Sequence, residues 1–186
     1  PGRMPKGQYR HYRRIARVLA TSTPVRDRVI AENPALATVT RVYGYPISCC
    51  ELGQSGSNPR SGEVVIGYVG RVHPEKGLDL LVAALIRLYQ KSPLPAWRFA
   101  LRGPHQIAAG GGGDAYRAQL EAKLVAHLPR ERWSLQPPAY GENELAEFYR
   151  SLDVFCYPSL AVEGETFGVS VVEAMASGAV PVVSGL

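Results

Sequence analysis

Residues 63–92 read EVVIGYVGRVHPEKGLDLLVAALIRLYQKS, and the change of rhythm at Gly70 decides the fold. Up to Gly70 the run is short, apolar and β-branched, which suits a strand buried on both faces. From Gly77 onward the apolar residues recur at Leu78, Leu81, Val82, Leu85 and Leu88, the spacing of one helix face. The alternation then repeats. WRFALRG, RWSLQP, DVFCYP and AVPVVS read as strands, and DAYRAQLEAKLVAHL, GENELAEFYRSL and GVSVVEAMASG as the helices between them. Strands separated by helices of about ten to sixteen residues cross over and pair in parallel, with helices on both faces of the sheet. The prediction for residues 63–186 is therefore a doubly wound α/β domain.

Ligands of such sheets sit in the crevice beyond the carboxyl ends of the strands. Chemistry is sought in the loops that begin at Gly70, Gly103, Pro137, Pro158 and Ser184. The first of these, GRVHPEKG, lets the backbone turn at Gly70 and offers two cations, Arg71 and Lys76, before Gly77 opens a helix. A helix amino end adds a positive dipole, so the loop is an anion site in outline. Diphosphate suits it, because a planar guanidinium and a mobile ammonium take different oxygens.

The loop beginning at Pro158 leads into EGETFGVSVVEAMASG, residues 163–178. Here Glu165, Thr166, Phe167 and Gly168 form the loop, a helix starts near Gly168, and Gly178 ends it. Glu173 stands about a turn and a half inside this helix, among Val171, Val172, Ala174, Met175 and Ala176. No solvated face is left for it. It must reach the crevice and accept hydrogen bonds there, or be paired within the core, because an unpartnered buried carboxylate is costly. Two carboxylates beside a phosphate-attracting helix end suit a hydroxyl-rich ligand.

Three further segments carry weaker signals. Gly110 to Gly113, followed by Asp114 as helix N-cap, matches neither the dinucleotide nor the P-loop spacing and reads as a mobile loop beside the ligand. Residues 49–62, rich in Ser, Gly, Asn and Pro, read as a linker. Before it, residues 1–48 hold a strand RVLATS, a helix PVRDRVIAEN capped by Ser22 or Thr23, and a strand ATVTRVYGYPI.

Composition narrows the function classes. The 186 residues, 46% hydrophobic and 20% charged, are ordinary for a globular domain. No apolar run is long enough to span a bilayer, and PGRMPKGQYRHYRR lacks the apolar centre of a secretory signal. Cys49, Cys50 and Cys156 have no metal-ligand spacing, which fits a reducing cytoplasm. Residues 1–20 carry six basic side chains and no acid, so with a whole-chain charge of +5 the remaining 166 residues sum to −1. The basic end reads first as a solvated helix face and second as peripheral contact with anionic lipid at the inner face of the membrane; no nucleic-acid partner is expected. The opening Pro1 and the stop after AVPVVSGL suggest a piece of a longer chain.

GYVGRVHPEKGLDLL, the E-x7-E element EGETFGVSVVE, AMASGAVPVV and the alternation between them together resemble the donor-binding half of a GT-B glycosyltransferase, of the retaining group 1 or family 4 type. The resemblance covers residues 63–186 and implies a Rossmann-like donor domain. Residues 1–48 would then be the end of an acceptor-binding N-terminal domain, with 49–62 the interdomain linker. It implies that Arg71 and Lys76 bind the donor diphosphate and stabilise the departing nucleotide, that Glu165 holds hydroxyls of the transferred sugar, and that Glu173 holds the ribose. Glu165, Arg71 and Lys76 would be the catalytic set, and Gly70, Thr166 and the backbone of Phe167, Gly168 and Val169 would complete the donor site. Residues 137–140 would flank the base.

The implied activity is transfer of a hexose-type sugar from a UDP- or GDP-linked donor to a glycan, lipid-linked or small-molecule acceptor, with retention. No cofactor and no metal are expected, and the sequence has no Asp-x-Asp triplet. The competing reading is a non-catalytic nucleotide-binding or interaction module.

Overall fold

A computed structural model describes residues 7–12, 14–47, 52, 62–91, 93–161 and 167–185. The chain divides into two compact units: residues 1–47 with 162–169, and residues 48–161 with 170–186.

In the first unit, strand β1 (Val18–Ala20), helix α1 (Thr23–Glu32) and strand β2 (Thr40–Val42) form one βαβ turn, with β1 and β2 parallel in the register Val18 to Thr40. Its small core is Tyr9, Val29 and Leu36. Pro24 stands in the first turn of α1, where its missing N–H costs nothing. Ser22 occupies the N-cap position without making a side-chain cap bond, so the expected cap is positional only. The strand expected over ATVTRVYGYPI contracts to three residues, because among the described residues β2 pairs with β1 alone, and Tyr43 and Tyr45 beyond it are exposed.

The second unit holds strands β3 (Val64–Val69), β4 (Trp97–Arg102), β5 (Trp133–Gln136), β6 (Val154–Tyr157) and β7 (Val180–Val183). Among the described residues they form one parallel sheet in the order β5-β4-β3-β6-β7. Helices α2 (Leu78–Tyr89), α3 (Gly113–His127), α4 (Glu142–Arg150) and α5 (Val169–Ala176) make the crossovers. The order reverses between β3 and β6, as in a doubly wound sheet.

The two faces of β3 are filled differently. Ile66 and Tyr68 join Phe99 and Leu101 of β4 under Leu81 and Leu85 of α2 and Leu120 and Leu124 of α3. Asp79 ties those two helices at the rim, accepting from the Tyr116 hydroxyl at 2.8 Å and from Lys123 Nζ at 2.6 Å. On the opposite face a Cβ at Gly67 would lie 2.3 Å from Leu152 Cδ1. That glycine lets Leu152, just after α4, lie directly on the sheet. The Asp153 carboxylate then accepts the Val65 N–H at 2.8 Å and fixes where β6 enters the sheet. Cys156 is a free thiol whose pKa burial pushes up to about 11, so it behaves as a small hydrophobe.

Candidate functional site

The switch point lies between β3 and β6, and the backbone brings their following loops together there. Gly70 ends β3 at φ +150° and Gly103 ends β4 at φ +158°; a Cβ on Gly103 would sit 1.8 Å from the Gly70 carbonyl oxygen. Gly77 takes φ +69°, and a Cβ there would lie 1.9 Å from the Pro158 carbonyl oxygen. One residue pair further out, Leu160 N–H donates to the Glu75 carbonyl at 2.8 Å. Glycines are required because two loops approach backbone to backbone.

Within the first loop, residues 74–76 form a single 3₁₀ turn, started by His73, whose Nδ1 accepts the Glu75 N–H at 3.2 Å. The turn directs Lys76 inward. Lys76 is 9% exposed, and its Nζ donates to the Tyr157 hydroxyl at 3.1 Å while standing 5.4 Å from that ring's centroid. A buried ammonium needs a hydrogen-bond acceptor or a ring face, and Lys76 has both in Tyr157. Arg71 takes different partners: Nη2 meets Glu75 Oε1 at 2.5 Å and Nη1 donates to the Gly110 carbonyl at 2.8 Å. Partial burial opposes ionisation of Glu75, but the Arg71 hydrogen bond and charge, helped by His73 and Lys76, hold its carboxyl below the usual range.

The second element presents a different chemistry. Helix α5 begins at Val169, one residue later than expected, and closes with Gly178 at φ +89°. Gly178 N–H reaches the Met175 carbonyl at 3.0 Å and Ala179 N–H the Ala174 carbonyl at 3.0 Å, a Schellman cap that holds the helix against β7. Glu173 accepts at Oε2 from the hydroxyl of Tyr149, on α4, at 2.8 Å. Tyr149 is fully buried. Burial pushes the Glu173 carboxyl above the usual range, and the Tyr149 bond offsets only part of this. So the two alternatives the sequence left for Glu173 are partly resolved: it has a partner in the interior.

Gly70, Arg71, Lys76 and Glu173 thus belong to the second unit, around the switch point. Phe167, Gly168 and Val169 group with the first unit, where the Phe167 ring stacks on Tyr45 with centroids 6.0 Å apart. Glu165 and Thr166 lie outside the described residues, as do Cys49, Cys50 and residues 53–61 of the expected linker.

Two sequence expectations are overturned in the segment before α3. Gly110 to Gly113 form a backbone-bonded turn between a 3₁₀ turn and α3 rather than a loose loop. Gly111 N–H bonds the Gln106 carbonyl at 2.9 Å, Gly112 N–H the Val72 carbonyl at 2.8 Å, and Gly113 N–H the His105 carbonyl at 2.7 Å. The glycines permit close packing, since a Cβ on Gly111 would meet the His105 carbonyl oxygen at 2.2 Å. Asp114 is not the N-cap either: Gly112 holds that position, and Asp114 sits in the first turn with its Oδ1 3.0 Å from His105 Nε2.

Tyr149, Tyr157 and Glu75 are the partners that sequence reasoning missed. Each is a common residue type in an ordinary strand, helix or turn, and only the fold sets it beside a charged group.

These features define an α/β protein in which Arg71, Lys76 and Glu173 stand on the elements that follow β3 and β6, the two strands at the switch point. Residues 54–185 match the family described as "Glycosyl transferases group 1". Over 167 residues the chain is 35% identical to a D-inositol 3-phosphate glycosyltransferase of Kineococcus radiotolerans, a match that covers 87% of this chain and 34% of that protein. Over 154 residues it is 36% identical to the phosphatidyl-myo-inositol mannosyltransferase of Mycobacterium tuberculosis H37Rv, covering 82% of this chain and 32% of that one. The chain belongs to the group 1 glycosyltransferases and spans about a third of the length of these curated relatives.

Solved structures give the same fold. A glycosyltransferase from Rickettsia africae superposes with a TM-score of 0.79 at 15% identity, over 100% of this chain and 50% of that one. Anabaena Alr3699/HepE, solved in complex with UDP and glucose, superposes at 0.71 and 20% identity, over 91% of this chain and 44% of that one. None of the described helices is long and apolar enough to cross a membrane.

Proposed function

We propose that this chain is the donor-binding part of a glycosyltransferase that moves a hexose-type sugar from a UDP- or GDP-linked donor to an acceptor, with retention and without a metal ion. The observation that carries the reading is the buried Lys76, held at the Tyr157 hydroxyl where the loops after β3 and β6 meet. When the bond from the anomeric carbon to the phosphate oxygen breaks, negative charge grows on the departing diphosphate. A cation preorganised there, in a site of low dielectric, stabilises that charge more than it stabilises the bound donor. Arg71 supplies a second cation from the same loop, and the two supply the charge a metal ion would otherwise bring. Glu173 is assigned to the ribose hydroxyls and Glu165 to those of the sugar. Gly70, Thr166 and the backbone of Phe167, Gly168 and Val169 complete the donor site.

The relatives named for inositol-containing acceptors make a lipid-linked or small polyol acceptor the first class to try. The acceptor would be bound mainly by the N-terminal domain. Placement in the cytoplasm, with the basic residues 1–20 touching anionic lipid at the inner face of the membrane, is part of the same proposal. Calorimetric titration of the 186-residue chain with UDP, GDP and ADP, each with and without an attached hexose, tests the donor reading. Binding of UDP or GDP, tightened by the sugar, is the expected result. A folded sample that binds none of them removes the reading.

A further inference from the structure

We infer that the segment Gly110 to Gly113 is an orienting clamp for Arg71, with Glu75 as its second jaw, and that the glycines are there to let a backbone carbonyl reach the guanidinium. The inference rests on the donor reading above, in which Arg71 meets the diphosphate.

A guanidinium on a flexible stem gains little from one contact, because fixing its rotamers costs much of what the contact gives. Arg71 has two, one on each terminal nitrogen. Nη1 donates to the Gly110 carbonyl, 39 residues away in sequence, at 2.8 Å, and Nη2 meets Glu75 Oε1 at 2.5 Å. A guanidinium carries five N–H donors, so these bonds leave Nε–H and the outer Nη hydrogens for phosphate oxygens. The backbone beneath is fixed as well. The Tyr68 hydroxyl donates to the Arg71 carbonyl at 2.9 Å, and Val72 is bonded on both sides, to Pro104 and to Gly112, at 2.8 Å each.

The clamp exists only if the turn lies close against His105. Gly110 at φ +78° and Gly113 at φ +87° reverse the chain, and Gly111 has no room for a Cβ beside the His105 backbone. A methyl at Gly111 pushes the segment away from His105 and carries the Gly110 carbonyl off Arg71. The four glycines are therefore a device for positioning a cation through a carbonyl, in a place where no backbone N–H of theirs is needed to hold phosphate.

The test is a double-mutant cycle on the 186-residue chain, reading the Kd for UDP or GDP, whichever the wild type binds more tightly, with a thermal melt to establish folding. Gly111→Ala and Glu75→Ala each weaken binding about tenfold, the scale of one charge-assisted hydrogen bond. Glu75→Gln, which keeps an acceptor oxygen, recovers most of the loss. In an Arg71→Ala background Gly111→Ala changes Kd by less than about twofold, because coupled residues are not additive. Folded Gly111→Ala and Glu75→Ala variants that bind like the wild type overturn the clamp and leave the donor reading standing. So does a full loss that persists in the Arg71→Ala background, which would mean that the loop acts elsewhere. Should Gly111→Ala fail to fold, the Glu75→Ala and Glu75→Gln pair, run with and without Arg71→Ala, decides the matter by the same criteria. A wild-type chain that binds neither nucleotide overturns the donor reading and the clamp with it.

Discussion

The loop after β3 and the helix after β6 hold a carboxylate each, yet they treat it in opposite ways. Glu75 stands among Arg71, His73 and Lys76 and is held ionised. Glu173 stands in an apolar helix with a neutral phenol as its partner, and burial favours its protonated form. The first arrangement is an electrostatic scaffold in which one carboxylate pairs with Arg71 and the loop keeps a net positive charge through Lys76. The second keeps a polar group in an environment that would rather not have it, a pattern found where binding takes precedence over stability.

Four comparisons, made with five substitutions, separate the two regions, from the largest effect to the smallest. Gly77→Ala attacks their junction: a Cβ 1.9 Å from the Pro158 carbonyl, at φ +69°, should lower unfolding free energy by about 3 kcal/mol in a urea titration. A tolerated alanine there would mean that the two loops do not depend on one another. Lys76→Ala should keep the fold and raise the Kd for UDP or GDP by about a hundredfold, the scale of a buried charged contact. Tyr149→Phe should cost about 1–2 kcal/mol, since it leaves a half-buried carboxylate without its donor.

The fourth comparison concerns sign. Because the folded Glu173 carboxyl has a raised pKa, the folded chain binds the proton more tightly, and stability falls as pH rises through the window between the ordinary and raised values. Glu173→Gln should therefore stabilise the protein at neutral pH by about 1 kcal/mol, a typical gain on relieving a functional site. The gain should vanish below the ordinary carboxylate range, and nucleotide affinity should fall. Glu75 has a lowered pKa, so its contribution is present above the ordinary range and lost as pH falls through the depressed value. Glu75→Gln should destabilise by a few tenths of a kcal/mol at neutral pH, solvent screening keeping it small. Matched pH profiles of melting temperature for both variants check this. Shifts of the same sign would erase the contrast.

Much of the second unit is legible in the sequence because its signals are local. The 63–70 run, the helical spacing of Leu78 to Leu85, and the glycines at 70, 77, 103 and 178 each report on a few neighbouring residues. Where the reading failed, the deciding contact was distant. Four glycines suggest looseness when nothing is known of their surroundings, but here they buy proximity to His105 and Val72. The strand ATVTRVYGYPI shrinks to β2 because strand length is set by the pairing partner.

By itself the sequence determined the alternation of parallel strands and crossover helices, the glycine turns at the strand ends, and the placement of Arg71, Lys76 and Glu173 on strand-end elements. The tertiary structure alone decided what those residues face. It set Lys76 against Tyr157, Arg71 between Glu75 and the Gly110 carbonyl, and Glu173 under Tyr149. Periodicity and turn chemistry act over a few bonds and are written locally, whereas a charged group's partner is fixed by which strands become neighbours in the sheet.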